Sequence, residues 1–243
     1  MIIQSSAIDI FHTIVNDSNT DEQCIVKYEF AEAIVTCLKM VDHYHPWSIT
    51  PDEFDYFCDF IITHNLKCGY ECATAFGISG LAAALGMKAT GGHLVTVDAY
   101  IEERHNLSTA YRDLKEVNQN DPDGLKSLRW LMKRFDVESV ISPMIGWSPD
   151  NVAQIIIDVH GEDAEIDYAF IDAGHWDEAV LADTLAIRPF VNTSKPFALF
   201  FHDLPCFSDN TWEKIQESYG YPMQPITEIK ETWHSGIVTN ISF

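Results

Sequence analysis

The change of pattern at residue 66 constrains this chain more than any other feature. From there on, short apolar runs alternate with segments of helical periodicity, the signature of βαβ units on a mainly parallel sheet. Strands are predicted near Gly69–Cys72, His93–Val97, Ser139–Ser142, Tyr168–Ile171 and Phe197–Phe201. Helices are predicted near Gly77–Met87, Pro122–Phe135, Pro149–Val159 and Glu178–Ile187. Pro225–Ile229 and Gly236–Ile241 read as two further strands, suited to an antiparallel edge. The fold class is α/β, a doubly wound and mainly parallel sheet with an antiparallel C-terminal edge strand.

Residues 1–65 read differently, as an N-terminal helical cap on a core spanning 66–243. Thr20-Asp21-Glu22-Gln23 has the form of a capping box, and Val26, Phe30, Ala33, Ile34, Cys37, Leu38 and Val41 follow at helical spacing. Pro46 ends that helix. A second box, Thr50-Pro51-Asp52-Glu53, carries Pro at the favoured first position, ahead of an apolar face of Phe54, Phe57, Cys58 and Ile61. Glu102–Asp121 is polar and reads as a solvated helix or a mobile cover.

Composition excludes several classes. There are 37 acidic residues against 15 basic ones, a formal net charge of −22. Phosphate binding needs concentrated Lys and Arg, so no nucleic-acid partner is expected, and an anionic membrane surface would repel the chain. No apolar run approaches the roughly 18 residues of a membrane span, and no signal peptide is visible, so a cytoplasmic location is expected. Six cysteines lack the spacing of a zinc or iron–sulfur site, and most of them read as small buried residues. His43 and His45 read as loop histidines. Whether the chain forms a homo-oligomer is left open.

Two stretches carry chemistry. In Gly69-Tyr70-Glu71-Cys72-Ala73-Thr74-Ala75-Phe76-Gly77-Ile78-Ser79-Gly80, a strand ends near an acid, a loop of small residues follows, and a helix starts. Small residues admit a ligand close to the backbone, and a helix N-terminus offers free N–H groups. In Gly91-Gly92-His93-Leu94-Val95-Thr96-Val97-Asp98 the next strand ends in an acid able to accept both hydroxyls of a ribose. Each feature alone has a plain alternative: a Gly-rich turn closes ordinary βα units, and an acid after a strand caps a helix. For Cys72 and Phe76 packing is the better reading, and for Trp147 packing and ligand contact stand equal.

Together these stretches resemble motifs I and II of the class I S-adenosylmethionine-dependent methyltransferases, whose core is Rossmann-like. The resemblance continues through Ile166-Asp167-Tyr168-Ala169-Phe170-Ile171-Asp172-Ala173-Gly174-His175 and Phe200-Phe201-His202-Asp203-Leu204. This "FIDxxH … FxHD" pair is similar to the small-molecule and sugar O-methyltransferase branch. Catechol O-methyltransferase-like enzymes share the plan. The first loop departs from the family's E-x-G-x-G-x-G, having Ala73 and Ala75 at the first two glycines while keeping Gly77. A positive-φ requirement there would penalise alanine.

The resemblance implies that Glu71, Ala73, Gly77 and Ser79 surround the methionine part of S-adenosylmethionine. Asp98 would hold the ribose, Met144 to Ser148 with Gly146 would border the adenine, and Asp172 would lie at the cofactor edge. It implies methyl transfer to a hydroxyl of a small-molecule acceptor or sugar. His175, three residues past Asp172, is the candidate general base, with a helix-capping or packing role as the alternative. Asp172 and Asp203 are candidate ligands of Mg²⁺ or a similar cation. The alternative, that Asp203 caps the next turn and His202 packs, stays open. An NAD-dependent oxidoreductase and a non-catalytic methyltransferase-like binding protein are the competing readings.

Overall fold

A computed structural model of the chain describes residues 6–20, 49–99, 112–113, 123–227 and 235–242. The periodic segment Val26–Val41, His43 and His45, and most of Glu102–Asp121 lie outside the described residues. So does most of the first capping box; its Thr20 ends a helix instead of opening one.

The helices are α1 (Ala7–Thr20), α2 (Pro51–His64), α3 (Ile78–Thr90), α4 (Asp123–Arg134), α5 (Val152–His160), α6 (Asp177–Ile187) and α7 (Asp209–Tyr219). The strands are β1 (Cys68–Cys72), β2 (His93–Asp98), β3 (Arg112–Asp113), β4 (Ile141–Ile145), β5 (Tyr168–Ile171), β6 (Ala198–Phe201), β7 (Met223–Pro225) and β8 (Gly236–Thr239). They form one sheet in the order β3-β4-β2-β1-β5-β6-β8-β7. Strands β4, β2, β1, β5 and β6 run parallel, and β8 and β7 close the C-terminal edge antiparallel. The chain starts at the centre, winds out through β2 to β4, then returns to β5 on the other side of β1. That reversal makes the carboxyl ends of β1 and β5 the switch point where α/β sheets bind ligands.

Side chains alternate across the sheet, as the period of a strand demands. Tyr168, Phe170, Ala198 and Phe200 join the core under α1 to α4, whereas Ala169, Ile171, Leu199 and Phe201 join the core under α5 to α7. The doubly wound, mainly parallel sheet read from the apolar runs is therefore the one observed. Helix α2 begins at the second capping box: the Thr50 hydroxyl accepts from the Glu53 N–H, and the Glu53 side chain accepts from the Thr50 N–H. Its Phe57 ring lies 4.9 Å from that of Phe200 and 5.4 Å from that of Phe170. The helix is thus seated over β5 and β6 as well as on α3.

Three elements differ from the sequence expectation. The strand expected at Ser139–Ser142 is displaced to Ile141–Ile145 and runs through Pro143. A proline has no N–H to give, yet β4 tolerates it because β3 pairs only with Met144 and Ile145. Helix α7 was not anticipated from its charged sequence, although Thr211, Ile215 and Tyr219 are buried at helical spacing and Gly220 adopts the left-handed cap. The tail strand expected from Pro225 instead starts at Met223 and ends at Pro225. Among the described thiols, Cys58 and Cys72 are buried, Cys68 is partly so, and Cys206 is exposed.

The α2–α3 contact is close because Gly86 has no side chain. A Cβ there would stand 2.9 Å from Ile61 Cβ and 3.0 Å from the Cys58 carbonyl oxygen. Gly86→Val should cost about 1–3 kcal/mol by overpacking, read from urea denaturation. A variant as stable as wild type would mean that α2 does not sit against α3 this tightly.

Candidate active site

The ladder brings the expected residues to one edge. Cys72 pairs with Val97 and with Ile171, and Ile171 pairs with Phe201. The residues just past these positions, Ala73, Asp98, Asp172 and His202, therefore follow one another along the carboxyl ends of four neighbouring strands. Gly236 pairs with Phe201 from the antiparallel β8, which adds Ser235 to the same edge.

On the β1 side, the loop after Glu71 turns three times through the left-handed region, with φ of 73° at Ala73, 44° at Ala75 and 87° at Gly77. The loop thus keeps a glycine-type backbone with alanines in two of the places. Ala75 donates its N–H to Asp98 Oδ2 at 2.8 Å, and Gly146 donates its N–H to the Asp98 carbonyl at 3.0 Å. Asp98 therefore ties the loops after β1 and β4 together. Trp147 is half-buried, and its N–H donates to Asn151 Oδ1. Cys72 and Phe76 pack in the two cores, as expected.

Glu71 is fully buried, and Ser79 and Thr96 both donate hydroxyls to its carboxylate. Gly80 makes room for it, since a Cβ there would stand 2.8 Å from Glu71 Oε2. Burial outweighs the two hydroxyls and pushes the Glu71 carboxyl up to about 7.

On the β5–β6 side lies a cluster of charge. His175 Nε2 is 3.5 Å from Asp172 Oδ1 and 3.3 Å from Asp203 Oδ2. His202 Nδ1 faces the same two oxygens at 3.6 and 3.4 Å. These are ion-pair separations, longer than well-made hydrogen bonds. Among the described residues, Asp172 Oδ1 and His202 Nε2 are both buried with no hydrogen-bond partner. Burial raises the Asp172 carboxyl, but the two imidazoles overcome it and hold the group at about 2. Asp172 in turn raises His175 above the ordinary imidazole value.

The capping alternative for Asp203 is met in position: it is the N-cap of a short 3₁₀ turn, with φ at 56°, though its side chain makes no cap hydrogen bond. Helix α6 has Trp176, not His175, at its N-cap. His202 is buried, yet its ring is set among carboxylates and does not pack only against apolar groups. Asp172, His175 and Asp203 each offer one ligand atom, all within 4.8 Å of one another. The two carboxylates fit a hard divalent cation such as Mg²⁺ or Mn²⁺, and an ion that also took the imidazole would be Mn²⁺ or another transition ion and would leave His175 no base.

Sequence reasoning missed Glu53. It enters from α2, fully buried, with Oε2 at 3.7 Å from His202 Nε2. Ser235 donates its hydroxyl to Glu53 Oε1 at 2.6 Å. The capping box at Thr50 was visible, but nothing in the sequence said that its acid faces inward across the sheet edge.

With this geometry in hand, the relationships are plain. Residues 70–204, more than half of the chain, match a family model described as a methyltransferase domain, and the chain belongs to that family. Its Rossmann-like sheet makes it a class I methyltransferase. The O-methyltransferase TomG from Streptomyces achromogenes, solved in complex with SAM, is similar with a TM-score of 0.57 at 12% identity, covering 96% of each chain. An O-methyltransferase from Bacillus cereus in complex with SAH has a TM-score of 0.56 at 12% identity, covering 95% of this chain and 97% of its own. An SAH-bound methyltransferase from Podospora anserina has a TM-score of 0.55 at 10% identity, over 95% and 87%. Likeness at such identities speaks for the fold. Among curated proteins no sequence matches the chain significantly.

Two expectations follow for the β1 side. A left-handed alanine costs about 1–2 kcal/mol relative to glycine, partly offset by glycine's freer unfolded chain. Ala73→Gly and Ala75→Gly should each leave stability equal or raise it by up to about 1 kcal/mol; a clear loss on thermal denaturation would show that these backbones are not left-handed. The second concerns Glu71. A carboxyl raised in the fold stabilises it fully below the free value of 4.5 and loses that contribution as pH rises through about 7. Asp167, raised to about 6 by burial, adds in the same sense. Glu71→Gln should therefore flatten the fall in stability between about pH 4.5 and 7, gaining most on wild type at pH 8. An unchanged pH profile would show that Glu71 is not held this way.

Proposed function

We propose that this chain transfers the methyl group of S-adenosylmethionine to a hydroxyl oxygen of a small molecule, with His175 as the base. The observation that carries the reading is the convergence of Asp172, His175 and Asp203 beside the β1–β5 switch point. The SAM- and SAH-bound O-methyltransferases of the same fold support it. So does the small-residue loop, whose backbone keeps the left-handed turns despite its alanines.

The sulfonium cofactor supplies an activated methyl group for in-line displacement. The protein's task is to align the acceptor, exclude water and take up the acceptor's proton. Glu71 and Ser79 form the end of the cradle suited to an amino-acid head group, and a buried carboxylate there meets an ammonium with its charge. Gly77, which opens α3 with no side-chain cap, leaves helix N–H groups to a carboxylate. Asp98, at the end of β2, would accept from the ribose hydroxyls. Gly146 and Trp147 border the adenine side. His175, half-exposed at the site's mouth, takes the acceptor proton at Nδ1, its Nε2 being turned to the two carboxylates. Asp172 and Asp203 orient that ring and would hold a divalent cation, which supplies a lowered pKa to a bound hydroxyl. With no cation on them, the two carboxylates keep His175 protonated above the usual imidazole range. The base then becomes competent only at a pH above the ordinary imidazole value.

Calorimetry with S-adenosylmethionine and S-adenosylhomocysteine, followed by turnover on a panel of sugar and phenolic hydroxyls with and without Mn²⁺, tests the reading. Both cofactor forms should bind. Affinity for S-adenosylmethionine should rise with pH through about 7 as Glu71 ionises. His175→Ala should lower turnover by roughly 10²–10⁴-fold with cofactor affinity nearly kept. Absence of cofactor binding would overturn the methyltransferase reading. Wild-type turnover and pH profile in His175→Ala would remove His175 as the base. Full turnover after exhaustive chelation would remove the cation.

A further inference from the structure

The N-terminal helices carry no motif of the methyltransferase core, yet one residue of α2 reaches the catalytic edge. Glu53 is completely buried, and both its carboxylate oxygens are held in place: Oε2 by the Thr50 N–H at 2.8 Å, Oε1 by the Ser235 hydroxyl at 2.6 Å. One anchor lies at the start of α2 and the other just before β8, so the carboxylate is gripped from two elements far apart in sequence. Held this way, it presents Oε2 to His202 Nε2 at 3.7 Å. That nitrogen is buried and, among the described residues, has no hydrogen bond. The opposite side of the ring, Nδ1, faces Asp203 at 3.4 Å and Asp172 at 3.6 Å. The imidazole is therefore bracketed along its length by carboxylates, one from α2 and two from the catalytic edge.

Capping alone does not account for this. A capping box works with Glu or Gln at its last position, and Gln would close the helix start without burying a charge. Burying a carboxylate is unfavourable unless a partner compensates it. Among the described residues, an ionisable group that faces Glu53 is His202, only 4% exposed itself.

We infer that Glu53 is a positioning residue: from α2 it fixes the His202 ring and, through that ring, the set of the Asp172 and Asp203 carboxylates. The inference rests on the reading of those two carboxylates as working groups. It makes α2 part of the active site and not simply a cover over the core. Seating α2 against α3 at Gly86 then becomes a condition for the site's geometry.

Two substitutions separate positioning from simple stability. Thr50→Ala removes the hydroxyl half of the capping box and leaves the Glu53 carboxylate; Glu53→Gln keeps the cap and removes the charge. The readouts are the ¹⁵N and ¹H signals of the His202 ring in the full-length protein, the thermal midpoint, and Mn²⁺ affinity by calorimetry. Positioning expects Glu53→Gln to move the His202 ring signals and to weaken Mn²⁺ binding about tenfold. It expects Thr50→Ala to lower the midpoint while leaving both readouts near wild type. Ser235→Ala, which frees one oxygen of Glu53, should move the ring signals in the same direction by less, and decides the matter if Glu53→Gln does not fold. Unmoved ring signals in Glu53→Gln, or in Ser235→Ala if that variant must decide, overturn the inference. So does an equal displacement in Thr50→Ala. If the wild-type protein takes up no Mn²⁺, the cation part of the proposed function falls, and the ring signals alone decide the role of Glu53.

Discussion

Everything at the catalytic edge depends on the register of the backbone ladder across β2, β1, β5 and β6. A parallel sheet ends all its strands on the same side, so whatever follows each last paired residue is delivered to a common line. Cys72 opposite Ile171, and Ile171 opposite Phe201, place Asp172 and His202 side by side, although some thirty residues and a whole helix separate them in the chain. Each strand faces an apolar core on both sides, so a one-residue slip would exchange the side chains fitted to the two cores. The hydrophobic cores thereby hold the register, and the register holds the chemistry.

The charges at that edge show how differently the same residue type can be managed. Glu71 is buried among hydroxyls, with no cation beside it, and is pushed toward neutrality. Asp172 is set between two imidazoles and stays ionised down to about 2. Glu53 is equally buried, but His202, with help from Ser235 and the Thr50 N–H, outweighs the burial and holds it below the ordinary glutamate value. Desolvation acts on all three, and the neighbouring cation decides the sign. On the proposed reading, the neutral-leaning acid would meet a cationic head group, and the ionised ones would lie beside the groups that handle a proton or a cation.

The α/β class, the doubly wound order and the antiparallel C-terminal edge were legible because apolar periodicity is a local property that tertiary packing did not overrule. Glu71, Asp98, Asp172 and Asp203 were legible for a related reason: each lies at or just past the end of an apolar run, where a parallel sheet exposes its edge. Helix α7 was legible too, in Thr211, Ile215, Tyr219 and Gly220, but its charged surface hid the spacing. Strand β4 was displaced because a proline counts against a strand until one sees that β3 covers only its last two residues.

What the sequence by itself determined is the set of strand-end acids, the small-residue loop and the order in which they must line the sheet. It also held the clue to strain, since alanines occupy places that the loop turns through positive φ. Only the tertiary structure decided which groups meet. His175 lies three residues past Asp172 and His202 is next to Asp203, but the meetings of His175 with Asp203, of His202 with Asp172, and of Glu53 with His202 join residues distant in the chain. No local period encodes such contacts. They arise where a glycine lets α2 settle onto α3, and where an antiparallel last strand brings Ser235 back to the carboxyl edge.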